Sequence, residues 1–168
     1  MNMKTSHRAP IFVFFLSVAL LASLPRSASP QANTSDEERI LALAHQALDA
    51  ISAEDPIALT DVMIEGAIMI AVPPGGGAPR LSTREDNRSR PMTGDLVERG
   101  FEGRAEVYRD LGIVWLPYDF YRNGEWSHCG VDLFQMTRVD GRWMISSLAY
   151  TIEQPPDCRP HPDGPPGG

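Results

Sequence analysis

Very little of this chain is strongly apolar over any length. After residue 24 there is no run long enough to cross a bilayer. There is no surplus of basic residues either. The formal charge is −7 over 168 residues, and a chain that acidic repels phosphate backbones, which argues against a nucleic-acid partner. Cysteine is scarce, with two residues, Cys129 and Cys158. The four histidines, His7, His45, His128 and His161, have no metal-ligand spacing, so no metal site and no cofactor are expected. The glycine run at 75–77 lacks the Gly-Lys-Ser/Thr ending of a phosphate-binding loop and reads as a connector. No serine or cysteine nucleophile has a convincing base partner, because Cys129 and His128 are neighbours in a strand and point to opposite faces. No internal repeat is visible.

The one long apolar run lies at the start. Lys4 and Arg8 precede an apolar stretch at 11–24, too short to span a membrane, followed by Pro25 and the small residues Ser27-Ala28-Ser29. This is the pattern of a secretory signal peptide over residues 1–29, with cleavage expected near residues 28–32. The chain is therefore expected to be exported, periplasmic or secreted, with no stable membrane insertion after processing. Loss of residues 1–28 removes Lys4, Arg8 and Arg26 and no acid, which moves the charge from −7 to −10. Two thiols in an exported chain raise the prospect of a Cys129–Cys158 disulfide. It requires the chain to reverse at Pro155-Pro156; two separate thiols are the alternative.

The rest reads as one domain over 35–153. Ser35 with Glu38 forms a capping box, and Ile40, Ala44, Ala47, Leu48 and Ile51 form a helical stripe behind it. Asp55-Pro56 starts a second, short helix. A strand is expected at 64–72, a short one at 80–83, and a kinked one at 96–109. The polar segment 85–93 holds either a short helix or a loop. Long strands follow at 112–122, 125–139 and 142–153, joined at Asn123-Gly124 and Asp140-Gly141, both strong two-residue hairpin signals. Residues 154–168, rich in Pro and Gly, are expected to be disordered unless Cys158 pins them. The fold class is α+β, with helices on one face of a curved antiparallel sheet.

Undistorted hairpins would set Asp119 opposite His128, Trp115 opposite Asp132, and His128 opposite Glu153. Asp119, His128 and Asp132 would then share a face with Trp115, Tyr121, Trp126, Phe134 and Trp143, the last five as ligand-contacting walls. A histidine between carboxylates would have a raised pKa and serve as a proton shuttle, with Asp132 as base. Of the two tyrosines, only Tyr121 shares that face; Tyr118 does not.

Four blocks carry a family likeness: Trp115-Leu-Pro-Tyr-Asp-Phe-Tyr121, Ser127-His-Cys-Gly-Val-Asp-Leu-Phe134, Gly141-Arg-Trp-Met-Ile145 and Leu148-Ala-Tyr-Thr151. Over 35–153 the chain resembles the nuclear transport factor 2-like superfamily, in the manner of exported bacterial proteins of the SnoaL-like or lumazine-binding-like kind. The resemblance implies a cone-shaped, cystatin-like fold, a pocket between helices and sheet, and frequent dimerisation. It also implies a choice of functions, because the superfamily contains binding modules alongside isomerases, dehydratases and cyclases. Three readings follow. The first is a domain that binds a small, partly apolar molecule. The second is an acid–base enzyme using Asp119, His128 and Asp132. The third is a dimeric interaction module.

Overall fold

The structure is a computed structural model, and it describes residues 35–167. The expected signal segment lies outside the described residues. Helix α1 (Asp36–Ser52) begins at the expected cap. The Ser35 hydroxyl accepts from the Glu38 amide at 3.2 Å, and the Glu38 carboxylate accepts from the Ser35 amide at 2.8 Å. In α2 (Pro56–Asp61), Asp55 Oδ1 accepts from the amides of Ile57 and Ala58. Strands β1 (Met63–Val72) and β2 (Arg80–Thr83) follow, then α3 (Arg84–Ser89). A second capping box, Thr83 with Asp86, builds α3 where the sequence reading left a short helix or a loop open.

The expected kinked strand is two strands, β3 (Leu96–Gly100) and β4 (Arg104–Tyr108), which pair with opposite halves of β5 (Leu111–Arg122). Strands β6 (Glu125–Val139) and β7 (Arg142–Thr151) complete a sheet of order β2-β1-β7-β6-β5-β3, with β4 also on β5. All pairings are antiparallel except β1 with β7, which is parallel, so the sheet is mixed rather than antiparallel throughout.

Helix α1 lies on the inner face. Ile40, Ala44 and Leu48 pack with Val114, Leu116, Phe134, Met136 and Ile145. Gly112 allows this approach, since a Cβ there would fall 2.8 Å from the Ile40 side chain. At one end of α1 the Asp36 carboxylate accepts from Trp143 Nε1 at 3.1 Å and pairs with Arg138. These two contacts, the indole first, hold Asp36 below the usual carboxylate range.

Both hairpin turns form as expected. Asn123-Gly124 and Asp140-Gly141 have positive φ at both positions, the geometry that matches strand twist. The register implied by the first turn survives only two pairs, Arg122 with Glu125 and Tyr121 with Trp126. Ser127 is then an extra residue on β6, so Phe120 meets His128, Asp119 meets Cys129 and Leu116 meets Asp132. A second extra residue, Ser146 on β7, brings Asp132 opposite Tyr150 and Cys129 opposite Glu153. Each one-residue insertion exchanges the two faces of everything beyond it.

The tail is tied down by the condition the sequence reading had set for order. Cys129 and Cys158 form a disulfide, with Cα atoms 5.9 Å apart. Residues beyond it run against the outer face of the sheet. There the His161 amide donates to Asp119, its ring meets Phe101 edge-on, and Arg159 pairs with Glu102.

Candidate functional site

The shifted register builds a cavity of about 340 Å³ on the inner face, between α1, α2, α3 and the sheet. Its walls are apolar: Ile51 and Leu59 from the helices, Met69 from β1, Phe120 from β5 and Leu148 from β7. Four polar side chains reach it from adjacent strands, namely Glu98 of β3, Tyr118 of β5, Asp132 of β6 and Tyr150 of β7, together with His128 near the mouth.

Two of these are carboxyls, Asp132 fully buried and Glu98 half-buried. Asp132 is only 1 % exposed. Burial raises its pKa well above the usual range, and the neighbouring Glu98 charge raises it further. Burial pushes the Glu98 carboxyl up to about 8. Two carboxyls raised in this way hold at least one proton between them at neutral pH. Asp132 Oδ2 is buried and has no hydrogen-bond partner among the described residues.

The tyrosines respond to the same environment. Burial raises both phenols, with the Asp132 charge adding to Tyr118 and the Glu98 charge to Tyr150, so both remain hydrogen-bond donors. Tyr118 donates to the Thr151 carbonyl at 2.7 Å and is held in place. His128 stacks on Phe120 with ring centroids 4.6 Å apart, and its Nδ1 lies 3.0 Å from the Ser127 hydroxyl. Burial lowers its pKa and the Arg122 charge lowers it further, so the imidazole is neutral at pH 7.

Several expectations change as a result. His128 and Asp132 do enter the cavity, but Asp119 does not. Asp119 is fully buried on the opposite side of the sheet, where Arg99 donates to it at 3.0 and 2.6 Å and the His161 amide at 3.0 Å. Among the described residues no carboxylate pairs with His128, and its pKa moves down rather than up. Tyr118 faces the cavity, and Tyr121 faces out, stacked on Trp126 beneath Arg99.

None of the five expected wall residues lines the cavity. Trp115 is 42 % exposed on the outer face beside Leu133, and Tyr121 and Trp126 lie on that face too. Phe134 is fully buried under α1, and Trp143 caps the far end of that helix. The Ser127 insertion turns His128 and Asp132 toward Tyr118 and away from Trp115, Tyr121, Trp126 and Asp119, while Phe134 and Trp143 lie on the inner face where α1 covers them.

No family model matches the sequence, and no curated protein matches it. Solved structures do match in shape. A protein with a cystatin-like fold, a nuclear transport factor 2-like protein from Novosphingobium aromaticivorans, aligns at TM-score 0.59 with 15% identity, over 70% of this chain and 81% of that one. A protein of unknown function from Nostoc punctiforme, also cystatin-like, aligns at TM-score 0.57 with 11% identity, over 73% and 96%. This chain has the nuclear transport factor 2-like fold. A ketosteroid isomerase-like protein from Erwinia carotovora atroseptica shares it at TM-score 0.54 and 14% identity, over 72% of this chain and 98% of that one. Identities this low fix the fold and leave chemistry to the residues in the site.

Within this nuclear transport factor 2-like fold, the residues the sequence reading missed are Glu98, Tyr150 and three arginines at the mouth, Arg80, Arg90 and Arg122. Glu98 was detectable. Leu96, Glu98 and Gly100 alternate onto one face, and Leu96 is a core residue, so Glu98 had to point inward with it. Among the described residues no group of three or more His, Cys, Asp or Glu converges as metal ligands.

Proposed function

We propose that the cavity binds a small, partly apolar molecule whose hydrogen-bonding group docks on Asp132 and Glu98. The observation that carries this is the Asp132 oxygen, buried and unpartnered among the described residues. Leaving such an atom unsatisfied costs about 1–3 kcal/mol, and a ligand hydroxyl or carbonyl reaching the protonated pair offsets that cost. Met69, Phe120 and Leu148 supply the apolar surface for the rest of the molecule. The Cys129–Cys158 bridge supports action outside the cytoplasm, where disulfides persist.

Native mass spectrometry of the protein mixed with a small-molecule extract of its own host tests this reading. One bound mass per chain is expected for the wild type, and its loss in Asp132→Leu, which keeps the branched shape and removes the polar group. A bare mass throughout, or equal retention by the variant, contradicts it.

A second reading, acid–base catalysis, is favoured by one observation. A Glu98 carboxyl at about 8 is matched to proton transfer near neutral pH. In that case Glu98 takes the proton and a protonated Asp132 donates to the developing oxygen. Recovery of the bound molecule unchanged favours binding alone. Conversion that Glu98→Gln abolishes while binding persists favours catalysis.

A further inference from the structure

The cavity mouth gathers positive charge on a chain that is acidic overall. Arg80 at the start of β2, Arg90 just after α3 and Arg122 at the end of β5 converge on this opening from three separate elements. Among the described residues the only acids lining the cavity are Glu98 and Asp132, and burial favours their protonated forms. Arg39, Arg84, Arg88, Arg99, Arg138 and Arg159 each pair with a carboxylate. Arg80, Arg90 and Arg122 have no ion-pair partner among the described residues; Arg104, Arg109 and Arg142 have none either, but they do not line the cavity. Their charge reaches the cavity, since Arg80 and Arg90 oppose the rise of the Tyr150 pKa and Arg122 adds to the fall at His128.

Three like charges gathered at one opening repel one another and raise the energy of the empty site. An anion seated between them removes that repulsion. Guanidinium forks suit the planar or tetrahedral oxyanions of carboxylates and phosphate esters, which accept two parallel hydrogen bonds.

We infer that the ligand is an amphipathic anion: an apolar body in the cavity, a hydroxyl or carbonyl at the Asp132–Glu98 end, and a carboxylate or phosphate held at the mouth by Arg80, Arg90 and Arg122. This rests on the cavity-binding reading and adds the charge and orientation of the molecule. The raised carboxyl pair is part of the same arrangement, because two ionised acids inside would oppose entry of an anion.

The test uses three fluorescent probes with one shared body: 6-hydroxy-2-naphthoate, 6-hydroxy-2-naphthamide and 6-hydroxy-2-naphthyl phosphate. Each is titrated into the full chain at pH 7. The naphthoate is expected to bind at least tenfold more tightly than the amide, with an advantage that shrinks as salt is raised. In the triple variant Arg80→Gln/Arg90→Gln/Arg122→Gln the acid and amide are expected to bind within twofold of each other. All three arginines are exposed, so the fold does not depend on them. Tighter binding of the phosphate than of the naphthoate also supports the inference and assigns the anion to a phosphate ester; the reverse order assigns a carboxylate. Equal binding of acid and amide by the wild type, or an acid preference that persists in the triple variant, overturns the anion inference and leaves the cavity reading standing. No binding of any probe overturns the cavity reading and the inference with it.

Discussion

Asp119→Ala is expected to lower the unfolding free energy by about 3–5 kcal/mol, the usual consequence of removing one partner of a buried ion pair. The carboxylate is fully buried and takes two parallel hydrogen bonds from Arg99 and a third from the His161 amide. Arg99 also lies over the Tyr121 ring, with its guanidinium carbon 5.5 Å from the centroid. Truncation leaves that guanidinium partly buried with no counter-charge and frees the tail from one of its anchors. Urea unfolding at pH 7 checks this. A loss below about 1 kcal/mol contradicts a structural role for Asp119. Binding of a cavity ligand to the folded fraction of this variant is expected to stay unchanged, because Asp119 faces away from the cavity.

Glu98→Gln is expected to stabilise the protein in alkali and to change little in acid. In the unfolded chain Glu98 loses its proton near its ordinary value of 4.5, whereas in the fold it holds the proton up to about 8. Between those values the unfolded state binds fewer protons, so stability falls as pH rises across that window. The full shift is discounted because Glu98 is only half-buried. A gain on the order of 2 kcal/mol at pH 9 remains. The substitution also removes the second cause of the raised Asp132 pKa, which acts in the same direction.

His128 contributes with the opposite sign. Its pKa is lowered in the fold, so it costs stability as pH falls through the ordinary histidine range. Subtracting the wild-type melting curve from that of the variant, pH by pH from 4 to 9, cancels the histidine. A difference that grows with pH is expected; a flat difference contradicts the buried carboxyl pair.

The architecture was legible because its signals are local. The Ser35–Glu38 box, the Asp55-Pro56 start and the two hairpin dipeptides each fix a few residues by hydrogen bonding or by backbone geometry, and each element stands where those signals put it. The site was less legible because it depends on register over a distance. Asn123-Gly124 sets the pairs beside it, and nothing in a turn controls what happens at Ser127.

The core decides there. Phe134 and Met136 are fully buried with Val114 and Leu116, a grouping the undistorted hairpin forbids, since it sends Phe134 to the face of Trp115. Burying those side chains on one face outweighs the hydrogen bonding lost at one inserted residue. The apolar pattern of β5 and β6 held that information, because Phe134 and Met136 had no core to join unless the register slipped between the turn and Asp132. Gly130 marks the same region. A Cβ there would collide with the Thr151 carbonyl, so only glycine lets β6 pass the end of β7 this closely.

The slip also explains why the expected catalytic group divides. His128 and Asp132 lie beyond the inserted residue and turn inward together, while Asp119, on the uninterrupted strand, stays with Tyr121 on the outside. The polar centre of the cavity is therefore a pair of carboxyls from β3 and β6 rather than a histidine flanked by acids. That exchange replaces the expected proton shuttle with a partly protonated, hydrogen-bonding carboxyl pair.

Carbon-13 NMR of the side-chain carboxyls, titrated from pH 3 to 10 and assigned through Glu98→Gln and Asp132→Leu, tests this most directly. Both groups are expected to remain at least partly protonated at neutral pH, with Glu98 titrating near 8 and Asp132 well above the ordinary aspartate range. Two carboxyls that both ionise near pH 4 would mean that they are solvated and apart, and the inward-facing site described above would not exist.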